Sequence, residues 1–128
     1  MMQKTEKNKE KAFSLIETSK ITLKRLKDIG TLNYPTNSLV DYYTVIHSLC
    51  EAITYLKGYK FRGEGAHKEL IYYVLKNYKS IQLIQELRTL RNLAQYEGKQ
   101  IELGYIEINE DEIKETIEYL KKITHNII

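Results

Sequence analysis

An all-helical fold is predicted for this chain by three features: one proline and six glycines in 128 residues, a bulk of Leu, Ile, Lys and Glu, and apolar side chains that recur in steps of three and four. Few glycines and prolines leave few places where a helix must stop, and the recurring steps put apolar groups along one face of a 3.6-residue turn. The stripes suit an up-and-down four-helix bundle with an additional short helix. The length fits a single domain over residues 1–128, sufficient for one core without disulfides or metal. Apolar residues at 42% and charged residues at 29% exclude the apolar-poor balance of a disordered chain.

The first helix is expected from about Glu6 to Ile29, with Ala12, Ile16, Ser19, Leu23 and Leu26 on its inner face and Gly30 ending it. Asn37 or Ser38 is the candidate cap of a second helix. There Leu39, Tyr42, Ile46, Leu49, Ile53 and Leu56 form one stripe, and Val40, Tyr43, His47, Cys50 and Thr54 form another beside it. So broad an apolar face predicts a helix at the centre of the bundle. Glycines at 58, 63 and 65 then mark a loop.

A short third helix is expected from about Ala66 to Asn77. Ser80 is the candidate cap of a fourth, whose core face is Leu83, Leu87, Leu90 and Ala94, and Gly98 closes it. Residues Gln100 to Ile108 alternate apolar and polar, which predicts an extended loop or small hairpin interrupted by Gly104. Asn109 with Glu112 reads as a capping pair for a fifth helix along Ile113, Ile117, Leu120 and Thr124.

Cys50 is the only cysteine, so no intramolecular disulfide forms, and the N-terminal run of Lys, Glu and Asn carries no apolar stretch of a secretory signal. No apolar run approaches the roughly 20 residues of a membrane span. A cytoplasmic protein without membrane contact is expected. The net charge of +3 is far from that of a nucleic-acid coat, so any RNA contact has to be local. Cys and His clusters at metal spacing, glycine-rich phosphate loops and nucleophile elbows are all missing, so no metal or cofactor is expected.

The fourth helix carries the chemistry. Ile81, Ile84, Arg88, Arg91 and Gln95 form a stripe beside its core stripe, setting two guanidinium groups at an apolar edge. Arginine presents a planar fork of donors that matches phosphate or carboxylate, and weak hydration beside isoleucine strengthens such pairing. Spacing alone is equally satisfied by two surface side chains lying over the core.

The stretch from Glu86 through Arg91, Asn92 and Tyr96 to Gly98 resembles the signature helix of the HEPN domains: an arginine, a polar residue and, after four to six intervening residues, a histidine. Arg91 and Asn92 match the first two elements. Asp41-Tyr42-Tyr43 through His47 to Gly58-Tyr59, then Ala66-His67-Lys68, resembles the family's second helix and the opening of its third. The resemblance spans about residues 38–126.

It implies an RNA- or nucleotide-associated module in which the arginine and histidine of active members promote metal-independent cleavage, by attack of the ribose 2′-hydroxyl on the neighbouring phosphate. Here Tyr96 occupies the histidine slot. Histidine titrates at about 6.5 and tyrosine at about 10, so a tyrosine is a poor base near neutrality. The resemblance therefore favours a binding module that uses Arg88, Arg91, Asn92 and Tyr96. An active endoribonuclease toxin using Arg91 with Tyr96 or His47 is the alternative. It further implies a homodimer with the fourth helices at the two-fold axis, and a minimal nucleotidyltransferase as partner in a toxin-antitoxin-like pair. The position at which some partners modify a tyrosine is Gly98 here. His47 also reads as a satisfied core residue, His67 as a structural one, and His125 as a cation at a helix C-terminus.

Overall fold

The computed structural model describes all 128 residues, Met1–Ile128. In chain order it contains strand β1 (Met2–Lys4), helix α1 (Lys9–Ile29), a 3-10 turn (Thr31–Asn33), helix α2 (Pro35–Lys57), strand β2 (Tyr59–Phe61) and helices α3 (Ala66–Leu75), α4 (Ile81–Glu97) and α5 (Leu103–Ile127). The all-helical expectation is met, with a two-stranded ribbon added. No helix is long and apolar enough to cross a membrane.

Helix α2 occupies the centre, with α1, α3, α4 and α5 packed against it. Its two expected stripes explain why: Leu39, Tyr42, Tyr43, Ile46, Leu49, Cys50 and Ile53 are all buried, so the helix is apolar around most of its circumference. The main core adds Leu26 from α1, Leu70, Ile71 and Leu75 from α3, Ile84 and Leu87 from α4, and Ile106, Ile113, Ile117 and Leu120 from α5. Burial pushes the Cys50 thiol far above its ordinary pKa, which keeps it a neutral packing group.

Helix α2 starts two residues before its expected cap. Pro35 is its first residue, where a missing N–H costs nothing and the fixed φ suits the first turn. Ser38 is then inside the helix, and its hydroxyl donates to the Thr31 carbonyl at 3.1 Å. Ser80 does precede α4, but without a side-chain capping bond.

The extended segment expected at Gln100–Ile108 is not formed, because α5 begins at Leu103 and Asn109 lies within it. Its side chain donates to the Tyr105 carbonyl at 2.9 Å instead of capping. Alternation misled because it counted Ile108 as an inward residue, whereas that side chain is 81% exposed. Ile106 instead extends the stripe of Ile113, Ile117 and Leu120, and Gly104 sits in the first turn, where a helix tolerates it.

The N-terminal residues pair antiparallel with β2, Met2 opposite Phe61, Gln3 opposite Lys60 and Lys4 opposite Tyr59. The segment read as part of a glycine loop is therefore a strand. Gly58 makes the close approach: its carbonyl accepts from Thr5 N at 2.8 Å, its φ is +83°, and a Cβ there would stand 2.8 Å from Thr5 O. Substitution Gly58→Ala combines a left-handed backbone with a collision against main chain. It is expected to cost about 1–3 kcal/mol, read as a lower urea midpoint at unchanged slope. An unchanged midpoint would mean that the ribbon relaxes freely around this residue.

Candidate functional site

Three helices converge on one buried phenol. Tyr43, His47 and Glu51 follow one another at intervals of four along α2 and so share a face, which α3 and α4 meet. Tyr43 is 1% exposed.

Arg88 and Arg91 reach this face because they lie four and seven positions after Ile84, which is fully buried against α2. The line expected at the edge of the α4 core thus runs closer to its middle. The Arg91 guanidinium carbon stands 5.5 Å from the Tyr43 ring centroid, an arrangement in which the cation is attracted to the ring face. Arg91 Nη1 donates to Asn92 Oδ1 at 3.1 Å, while its Nε is buried and has no partner in the chain. Arg88 Nε donates to Gln85 Oε1 at 3.0 Å, and Gln85 Nε2 donates to the Lys68 carbonyl at 3.2 Å, tying α4 to the start of α3.

From α3, His67 lies against the same group. Its Nδ1 is 3.3 Å from Tyr43 Oη and its ring centroid is 4.1 Å from that of His47. His47 Nδ1 stands 3.2 Å from Glu51 Oε1. A carboxylate only accepts, so Nδ1 carries the proton and Nε2 is the ring nitrogen left available.

The electrostatics follow from crowding. Burial and then the His47 and Arg91 charges hold His67 below the ordinary histidine pKa. The hydrogen bond from His47 holds the Glu51 carboxyl below the usual carboxylate range, against an opposing effect of burial. Burial drives the Tyr43 phenol far up, offset in part by Arg91 and Arg88. At neutral pH the cluster therefore contains an ionised Glu51, a neutral His67, a protonated Tyr43 hydroxyl and two guanidinium groups.

A pocket of about 430 Å³ opens between α2, β2 and α3, bordered by His47, Glu51 and His67 together with Lys60 and Arg62 from the β2 end. Nowhere in the chain do three His, Cys, Asp or Glu side chains converge as metal ligands.

Of the residues singled out from sequence, Arg88, Arg91 and His47 are gathered around Tyr43, and Asn92 joins them through its bond to Arg91. Tyr96 is not among them. It is 76% exposed in the last turn of α4, and no hydrogen bond or ring contact involves its side chain. His125 is exposed near the end of α5. Sequence reasoning missed three participants. Tyr43 and Glu51 were visible as residues four before and four after His47, a spacing that puts all three on one helical face. His67 was read only as a structural histidine, because a glycine loop separates it from α2 and nothing local shows that it meets Tyr43. No family model, no curated protein and no solved structure matches this chain.

A histidine with a depressed pKa binds fewer protons folded than unfolded. Its stability contribution is complete above the ordinary value of about 6.5 and is lost as pH falls through the folded value. The His67 ring resonance is expected to titrate below that of a histidine peptide, with His67→Gln losing less stability than wild type between pH 7 and pH 5. An ordinary midpoint for His67 would show that the cluster does not desolvate it.

Proposed function

We propose that this protein is a HEPN-like module that binds RNA or a nucleotide through phosphate contacts from Arg88 and Arg91. One observation carries the reading: the Arg91 guanidinium is half-buried against Tyr43, its only hydrogen-bond partner is Asn92, and no carboxylate pairs with it. A partly dry cation without a counter-charge is costly, and an anion that pairs with it recovers that cost. Phosphate is favoured over carboxylate because Arg88, Lys60 and Arg62 give this side of the molecule further cations. Asn92, bonded to Arg91, orients the fork. Tyr96, exposed at the end of the same helix, would stack on a base. As a HEPN-like protein it would form a homodimer, with the α4 helices bordering the two-fold axis, and pair with a minimal nucleotidyltransferase in a toxin-antitoxin-like system.

A second reading, a metal-independent endoribonuclease using Arg91 with His47 or Tyr96, is favoured by the Glu51–His47 contact, which presents His47 Nε2 as a base. Tyr96 contributes less to it, since nothing holds its side chain near Arg91.

Filter binding of a pool of 30-nucleotide random-sequence RNAs tests the first reading. Arg91→Ala is expected to weaken binding by roughly tenfold or more and to reduce the slope of log affinity against log salt by about 1. Wild-type affinity retained in Arg91→Ala would remove this residue from the interface. Sedimentation should give a dimer at micromolar concentration, and a monomer there would remove the shared two-fold cleft.

A further inference from the structure

A second set of charges is gathered on a different side of α2, where α1 and α5 pack. Tyr42 is 2% exposed, and its hydroxyl donates to Glu110 Oε2 on α5 at 2.8 Å. Burial, and then that bond, push its phenol far above the ordinary value, so the proton stays on the tyrosine. The Thr31 hydroxyl, from the 3-10 turn, donates to the same oxygen. Three elements thus fix one half-buried carboxylate, and both acceptor positions of its Oε2 are taken.

What this carboxylate lacks is a cation. None of the ion pairs of the chain includes Glu110, and none includes Lys27 or Lys114, which border the same pocket. A buried tyrosine hydroxyl needs only a neutral acceptor, which the amide of a glutamine also supplies. A half-buried negative charge without a counter-charge is a further cost that packing of Tyr42 does not explain. Glu110 Oε1 accepts from nothing in the chain, yet it is accessible, because Ser80 Oγ and Arg91 Nε are the only side-chain atoms both sealed and unpartnered.

The pocket that Glu110 borders lies between α1, the 3-10 turn, α2 and α5 and measures about 550 Å³. That is within the range of small-ligand sites, roughly 300–1,000 Å³. Leu26 and Ile117 are buried on its wall with Leu23 half-buried beside them, whereas Lys27 and Lys114 are exposed. Lys121 also borders it but is paired with Glu118 at 3.1 Å. One anion, two cations and an apolar wall are therefore uncommitted in one concave place.

We propose that this pocket binds a free α-amino acid with an apolar side chain, its ammonium on Glu110 Oε1, its carboxylate between Lys27 and Lys114, and its side chain against Leu23, Leu26 and Ile117. An ammonium is a compact donor that a single oxygen can receive. A planar guanidinium fork pairs with both oxygens of a carboxylate, and here Oε2 is already filled. A ligand without the ammonium would bring negative charge against Glu110, and one without the carboxylate would leave the two lysines unmatched, so the charge pattern selects a zwitterion. The proposal is independent of the phosphate reading, whose residues are on α3, α4 and the other face of α2.

Isothermal titration calorimetry of the full chain tests it, with L-leucine as the probe. Leucine is expected to bind once per chain. The analogues 4-methylpentanoate, which lacks the ammonium, and L-leucinol, which lacks the carboxylate, are each expected to bind about tenfold more weakly or worse. Glu110→Gln keeps an acceptor for Tyr42 and Thr31, so it is expected to melt at or above the wild-type temperature while losing about tenfold or more in leucine affinity. Replacing Lys27 and Lys114 together by glutamine is expected to weaken leucine and leave leucinol unchanged. A carboxylate that served only to accept from Tyr42 would show none of these differences. Wild type that gives no heat with leucine, or that binds 4-methylpentanoate as tightly as leucine, would overturn the proposal without any variant having to fold. Unchanged leucine affinity in folded Glu110→Gln would overturn it equally.

Discussion

Everything at the site depends on a phenol being buried in the middle of the bundle. Tyr43 is on the one helix that every other helix packs against, and its ring is the surface shared by Arg91 from α4 and His67 from α3. A tyrosine suits that position because it is large enough to fill the space between helices and keeps one polar atom for a partner. Its burial also suppresses ionisation, so the hydroxyl keeps its proton near neutral pH. A phenylalanine of the same shape would preserve the packing and leave the His67 ring without its hydrogen bond.

The charges around that ring are a local concentration that net composition hides. The chain carries only +3, yet Arg88, Arg91 and two histidines share a small region with a single close carboxylate, Glu51. Crowded positive charge in partly dry surroundings has two outcomes: ionisable groups give up protons, as His67 does, and fixed cations retain unused capacity for an anion, as Arg91 does with Asn92 as its only hydrogen-bond partner. Both tendencies favour phosphate, which supplies negative charge and several acceptors at once.

Where the chain was legible, the reason was local periodicity. The double stripe of α2 identified the central helix, and Arg88 and Arg91 could be grouped because they share a helical face with Ile84. Where it was not, the deciding interaction was distant in sequence. Residues Met2–Lys4 become a strand only because β2 supplies the opposing backbone groups. The start of α5 was misjudged because alternation and helical spacing both fit Ile101 to Ile108, and only packing showed that Ile106 faces inward while Ile108 faces out.

By itself, then, the amino-acid order determined an all-helical chain, its five helices and the arginine pair of α4, since these follow from patterns repeated within a few residues. The tertiary structure decided which side chains become neighbours. His67 joins His47, and Arg91 joins Tyr43, because three helices pack on one another through side-chain volumes that no short window of sequence encodes. Tyr96 follows Arg91 by five positions and yet stays outside the cluster, because a helix turns about 100° per residue and carries it to the solvent side.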